Sequence, residues 1–128
     1  MSAGPGAMRW PVVFAGISGA VMVGVGAYAS HAAVGAIARE WLRTGAQYGL
    51  WHSVALAAVA AVGMWAPGRL ATLSAALFAA GIVLFSGSLF VRALFGWYWI
   101  AKATPFGGLC FIAGWLLLAA HGAMMRRA

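Results

Sequence analysis

Acidic side chains are nearly absent from this sequence, in which Glu40 is the only aspartate or glutamate against eight lysines and arginines. A zinc or di-iron centre takes about three or four protein ligands, and one carboxylate is too few for such a set. No serine, histidine and acid are placed together for nucleophilic catalysis either. The shortage of acids therefore argues against an enzyme of either kind.

Charged residues of both signs are also scarce, at 7% of the chain, while 65% is hydrophobic and the mean hydropathy is +0.95. A soluble domain carries about 25% charged residues, and a fold of this size could not build a wetted surface from so few. The net charge of +7 does not indicate a nucleic-acid partner, because the basic residues are scattered singly between apolar runs. The composition predicts an integral membrane protein in contact with the lipid bilayer.

Cysteine occurs once, as Cys110, which excludes an intrachain disulfide and a metal cage made of cysteines alone. No glycine-rich phosphate loop follows a strand. Two histidines on separate helices can ligate a haem, but a four-helix protein has many ways to place two histidines. We therefore expect no metal and no cofactor.

Four apolar stretches reach the length of about 20 residues that a hydrocarbon core of about 30 Å requires of a helix. They predict an all-α integral membrane four-helix bundle, with residues 1–128 as a single transmembrane domain. The predicted spans cover about residues 11–30, 46–66, 71–95 and 105–123. Glycine and alanine recur in the first and third spans, which favours close packing between helices in lipid.

The connections between the spans carry their own signals. Residues 31–45, HAAVGAIAREWLRTG, space their apolar side chains as a helix does. They predict a short amphipathic helix at the membrane surface between helices 1 and 2. Residues 66–69, APGR, predict a tight turn that makes the second and third helices antiparallel neighbours. Thr104 and Pro105 predict the N-cap and first residue of the fourth helix.

Polar residues from distant parts of the chain are predicted to reach one half of the membrane. Glu40, Thr44, Tyr48 and His52 recur every four residues, so in one continuous helix they share a slowly turning face. Glu40 would be the counter-charge to Arg92 or Arg43, and the histidines would be proton carriers or ligands. The candidate polar pocket consists of His31, Glu40, Tyr48, His52, Ser88 and Arg92.

A simpler interpretation of the same residues stays open. Arg92 can extend to the lipid headgroups, and Glu40 can pair with Arg43 three residues further on. The histidines can bond to backbone carbonyls, so polar residues near the interface need no chemistry to explain them.

Four segments carry a family resemblance when they occur in this order: GAYASHA at 26–32, WLRTGAQYGLWHSVALAA at 41–58, LFSGSLFVRALFG at 84–96 and TPFGGLCFIAGWLLLAA at 104–120. Together they resemble the DUF423 family, small bacterial inner-membrane proteins related to the animal transmembrane protein 256 group. The resemblance spans about residues 11–120. It implies four transmembrane helices in the bacterial cytoplasmic membrane, and it implies no activity.

The predicted function is association within the membrane, with further copies of the chain or as an accessory subunit of a larger complex. We expect no enzymatic activity. The alternative is a binder or conduit for a lipophilic ligand or a proton, built on the candidate polar pocket.

Four spans place both termini on one side. The basic residues divide evenly between the two sides and, with Arg92 counted for less, they favour termini in the cytoplasm.

Overall fold

The computed structural model describes residues 5–126, and all of the regular elements in this range are helices. The α-helices are α1 (Arg9–His31), α2 (Ala36–Trp65), α3 (Arg69–Gly81), α4 (Gly87–Phe95) and α5 (Ala103–Met124). In the described residues, four helical runs are long and apolar enough to cross a membrane. The predicted all-α membrane fold is confirmed.

The third of these runs consists of α3, a π turn at Ile82–Ser86, and α4, in one unbroken stretch. α5 passes very close to the π turn because Gly107 has no side chain. A Cβ at Gly107 would overlap the backbone nitrogen of Phe85. On the other side, the fully buried Ser86 donates a hydrogen bond of 2.7 Å to the carbonyl of Gly45 in α2. The π turn therefore lies where the third span is held by both α2 and α5.

The amphipathic segment predicted as a separate short helix is instead the beginning of α2, which runs for 30 residues without a break. Gly45, which closed the predicted segment, is helical and buried, because Phe90 and Leu89 pack over it. At about 1.5 Å per residue, α2 is about 45 Å long and exceeds a hydrocarbon core of about 30 Å. Arg39 lies in the first turns of α2, the part that exceeds this thickness. Its Nη2 donates a hydrogen bond of 2.9 Å to the carbonyl of Ala32 and connects α2 to the end of α1.

The connection that leads into α5 differs from the prediction. α5 begins at Ala103 and has no side-chain cap, so the predicted N-cap at Thr104 and the predicted first residue at Pro105 are both wrong. The 3₁₀ turn Tyr98–Lys102 runs directly into α5 and makes a cap unnecessary. Thr104 Oγ1 instead lies 2.6 Å from Ser88 Oγ, in a hydrogen bond that links α5 to α4.

α2 and the third span form the centre of the protein, and α1 and α5 lie on the outside. α1 packs mainly on α2, and α5 packs mainly on α3. In their apolar stretches, 44% and 50% of the residues of the two central spans are buried, against 22% and 17% for the outer two. The core between them contains Leu56, Val59, Ala75 and Phe78, all fully buried. The outer helices therefore leave most of their surface to lipid or to a partner.

Candidate functional site

His52 is the polar centre of the helix packing. It lies on α2, and its ring stacks on Phe111 of α5 with centroids 3.6 Å apart and planes 10° apart. Phe78 of α3 approaches the same ring at 5.5 Å. The imidazole is buried, so its polar atoms need partners inside the protein.

Both nitrogens of His52 have such partners. Nε2 lies 3.0 Å from the indole nitrogen Nε1 of Trp115, and Nδ1 lies 2.7 Å from the carbonyl of Tyr48. Because an indole N–H only donates, Nε2 accepts and Nδ1–H donates to the carbonyl. A metal or haem ligand needs a free nitrogen lone pair, and a proton carrier needs a nitrogen that can exchange its proton. His52 supplies neither without losing the bond from Trp115 of α5 or the bond to the carbonyl of Tyr48 within α2.

Hydroxyl groups join the other helix pairs. Polar bonds of this kind hold membrane helices together, because lipid offers no alternative partner for a buried hydroxyl. The bonds are Ser18 with Ser53 (2.7 Å), Ser74 to the carbonyl of Gly114 (2.8 Å), Ser86 to the carbonyl of Gly45 (2.7 Å) and Ser88 with Thr104 (2.6 Å). The buried serines therefore serve packing and leave no hydroxyl activated by a neighbouring base.

Arg92 takes aromatic rings as its partners. Its guanidinium carbon lies 4.1 Å from the ring centroid of Trp41 and 5.6 Å from that of Tyr98. The quadrupole of an aromatic face attracts a cation in this position. Arg92 Nε is buried and forms no hydrogen bond to any described residue, and the side chain of Glu40 is exposed. The arginine in the third span is therefore held by a clamp of Trp41 and Tyr98.

The six residues of the candidate polar pocket are not brought together as a group. His31 and Glu40 are exposed at the end of α1 and the beginning of α2. Ser88 bonds to Thr104 and Arg92 lies on Trp41. Within residues 5–126, the contact between members of the set is that of Tyr48 with His52, whose rings stack at 6.4 Å. Tyr48 and His52 therefore share a face of α2. Glu40 is exposed near the beginning of that helix, whereas His52 is buried.

Two residues that the sequence analysis did not select are closely engaged. Trp115 donates to His52 across the protein. His121, in the last turn of α5, is buried and its Nε2–H donates to the carbonyl of Ala66 at 2.8 Å. A signal for His121 was present, because the antiparallel arrangement places the end of the fourth span beside the turn between the second and third.

No metal centre is indicated in the described part of the chain. Groups of three or more histidine, cysteine, aspartate or glutamate side chains close enough to hold a metal ion are absent among residues 5–126. Cys110 is a half-buried free thiol on α5.

The fold and its polar bonds define a small helical membrane protein with four spans, in which buried polar groups connect one helix to the next. Comparison with known proteins gives the family. A family model described as "Protein of unknown function (DUF423)" matches residues 25–108, and the chain belongs to this family.

The relatives of the chain bear membrane-protein names. The UPF0382 inner membrane protein YgdD of Escherichia coli strain K12 is 34% identical over 127 residues, which cover 93% of each chain. A UPF0382 membrane protein of Haemophilus influenzae is 38% identical over 80% of this chain and 85% of its own. The UPF0382 membrane protein YwdK of Bacillus subtilis is 33% identical over 87% and 94%. No solved structure matches the chain.

Proposed function

We propose that the protein acts without enzymatic activity, by association with other helices in the membrane through the outward face of α1. The observation that carries the proposal is a face of small residues that the fold itself leaves uncovered. Gly16, Ala20 and Gly24 recur every four residues on α1 and all are exposed. A Cβ built on Gly16 or Gly24 would meet no other atom within 4 Å.

Small residues elsewhere in the chain support this reading of α1. On α2, a Cβ at Gly49 would collide with Met22, and one at Gly63 would lie 2.8 Å from the sulfur of Met8. These glycines allow α1 and the turn before it to pack directly on α2. Lipid tails are as apolar as leucine, so close backbone approach is what draws helices together in a bilayer. The outward face of α1 also carries small residues, and no helix in the described part of the chain covers Gly16 or Gly24 there.

A second copy of the chain is the partner that fits this face best. Small residues on one helix need a facing helix that also allows close approach, and α1 supplies both halves when two copies meet about a twofold axis. The buried polar groups support a role without chemistry, because His52 and the buried serines are hydrogen-bonded between helices. The placement of its residues gives the candidate polar pocket no support. We therefore do not propose that this pocket binds a lipophilic ligand or conducts protons.

Ala20→Leu tests the proposal, because it enlarges the centre of the face. Ala119→Leu is the matched control, since Ala119 is equally an exposed alanine but lies on α5. Dimerisation in lipid bilayers, measured by energy transfer between labelled copies, should weaken about tenfold for Ala20→Leu, or about 1.4 kcal/mol. Ala119→Leu should leave it unchanged.

Two outcomes would count against a contact between copies of α1. Equal association of both variants would place the contact on another face. A wild-type chain that stays monomeric alone, but co-purifies with one defined membrane subunit in an Ala20-dependent way, would replace the second copy by an accessory-subunit role.

The proposal includes an orientation in which both termini face the cytoplasm. Arg9, Arg69 and Arg126 lie at the end of the protein that holds the termini. Arg92 at the other end is held by aromatic rings, which reduces its weight as a loop charge. Two reporters fused in turn to the C-terminus test this orientation. A fluorescent protein should be fluorescent there, and a phosphatase that is active only in the periplasm should be inactive. An active phosphatase fusion would reverse the orientation.

A further inference from the structure

An open cavity lies between the turn that joins α2 to α3 and the last turn of α5. Its volume is about 670 Å³, and its lining includes Trp65, Gly68, Arg69, His121 and Arg126. It lies at the opposite end of the protein from the clamp around Arg92. None of the residues of the candidate polar pocket lines it.

The cavity carries positive charge without an acidic side chain to balance it. Arg69 and Arg126 both line it and both are exposed. The one acidic side chain of the sequence, Glu40, is near the beginning of α2, whereas the cavity is at the end of that 30-residue helix. The helix is about 45 Å long, several times the Debye length of about 8 Å at physiological ionic strength. Within residues 5–126, no acidic side chain lies near the two guanidinium groups, so both can pair with an external anion.

The first turn of α3 adds hydrogen-bond donors at the same place. α3 begins at Arg69 after an N-cap glycine, Gly68, and no side chain caps it. The first backbone N–H groups of a helix have no partner within the helix, and the helix dipole makes this end favourable for anions. Gly68, Arg69 and Arg126 all line the cavity, so the first turn of α3 borders the same space as the two arginines.

His121 connects the end of α5 to the turn between α2 and α3, which together border the cavity. The side chain is 7% exposed, and its Nε2–H donates to the carbonyl of Ala66 at 2.8 Å. The ring packs directly on Gly68, where an added Cβ would lie 2.9 Å from Cε1. This contact holds the end of α5, and with it Arg126, beside the beginning of α3.

The rim of the cavity lies at the depth where phosphate is plentiful. Trp65 ends α2 and is 76% exposed, and tryptophan favours the boundary between hydrocarbon and headgroups. We propose that the cavity binds a phosphate group through Arg69, Arg126 and the first backbone N–H groups of α3. The phosphate comes either from an anionic phospholipid headgroup or from inorganic phosphate in solution. The site is independent of association through α1.

Binding to detergent-purified protein tests the site with three probes: phosphatidylglycerol, diacylglycerol, which has the same tails without phosphate, and inorganic phosphate. Apparent affinity follows from native mass spectrometry for the lipids and from the shift in thermal unfolding for inorganic phosphate. Arg69→Gln and Arg126→Gln should each weaken phosphatidylglycerol binding by about tenfold, since each removes a charged hydrogen-bond donor.

Arg9→Gln is the matched control. It removes the same charge as the two test variants. Arg9 also lies at the same end of the protein, since its neighbour Met8 packs against Gly63 near the end of α2. Arg9 does not, however, line the cavity. It should change binding less than about twofold, as expected for an exposed charge without direct contact. All three arginines are exposed, so the variants should fold.

The outcomes separate the two sources. Binding of phosphatidylglycerol that inorganic phosphate does not displace supports the headgroup, and binding of inorganic phosphate alone supports the free anion. The proposal is overturned if diacylglycerol binds as well as phosphatidylglycerol, if the three arginine variants lose affinity equally, or if wild type binds no phosphate-bearing probe.

Discussion

Two buried histidines, His52 in the middle of α2 and His121 at the end of α5, are nearly equal in exposure, at 6% and 7%. Their hydrogen bonds differ. Both nitrogens of His52 are bonded within the protein, to Trp115 and to the carbonyl of Tyr48. Within residues 5–126, His121 has one bond, to the carbonyl of Ala66, and it borders an open cavity.

The difference follows from depth in the membrane. In the hydrocarbon region no water is present, so a buried imidazole needs a partner from the protein at each nitrogen. At the end of a span, water and lipid headgroups can supply the hydrogen-bond partners that the protein does not provide. His52 is therefore a structural link, whereas His121 lines an open cavity at the end of the spans. Three substitutions test whether this distinction is correct.

The largest effect is expected for His52→Ala. It removes the ring stacked on Phe111, leaves a void between α2 and α5, and strands the indole N–H of Trp115. The free energy of unfolding should fall by about 3 kcal/mol, measured by denaturant titration in detergent micelles. His31→Ala, at an exposed histidine, should stay within about 0.5 kcal/mol of wild type. Equal effects of the two would contradict a structural role for His52.

Trp115→Phe isolates the hydrogen bond to Nε2. Phenylalanine retains an aromatic ring near Phe78, whose centroid lies 5.0 Å from that of Trp115, but it has no N–H to donate. An unpaired Nε2 in apolar surroundings should cost about 1–2 kcal/mol in the same titration. Trp99→Phe, at an indole that is 66% exposed, should cost much less. No difference between the two variants would show that His52 finds another donor.

The smallest effect is expected for His121→Ala. The carbonyl of Ala66 loses its partner, but it lies at a helix end beside an open cavity, where water can replace the imidazole. The free energy of unfolding should fall by about 1 kcal/mol. A loss as large as that of His52→Ala would mean that both histidines are enclosed alike, and the comparison would fail.

The sequence predicted four helices able to span a membrane, because the length and composition of each respond to one local quantity, the thickness of the bilayer. The turn at 66–68 was also readable, since proline and glycine act on their own backbone. The segment 31–45 was expected to contain a separate short helix, but its helical part continues into the second span, and Gly45 allows close contact with Phe90. The same residue type can end a helix or admit a neighbour, and composition does not distinguish the two.

Only part of the arrangement of the candidate polar pocket follows from spacing along one helix. Spacing by four correctly placed Tyr48 and His52 on one face, and their rings are stacked. Spacing could not show that Glu40, two turns earlier, would lie beyond the packed part of α2 and be exposed. Nor could it show that Arg92 would meet Trp41, because that contact depends on the rotation of the third span relative to α2.

The sequence by itself determined that this is a helical membrane protein with four spans, and that it has too few acids for a carboxylate-based site. Only the tertiary structure decided that His52 is closed by Trp115 and Tyr48, that Arg92 lies between aromatic rings, and that Arg69 and Arg126 share a cavity. The physical reason is that length and hydropathy act on each helix separately. Which side chains meet depends on how far small residues let the helices approach and turn against one another.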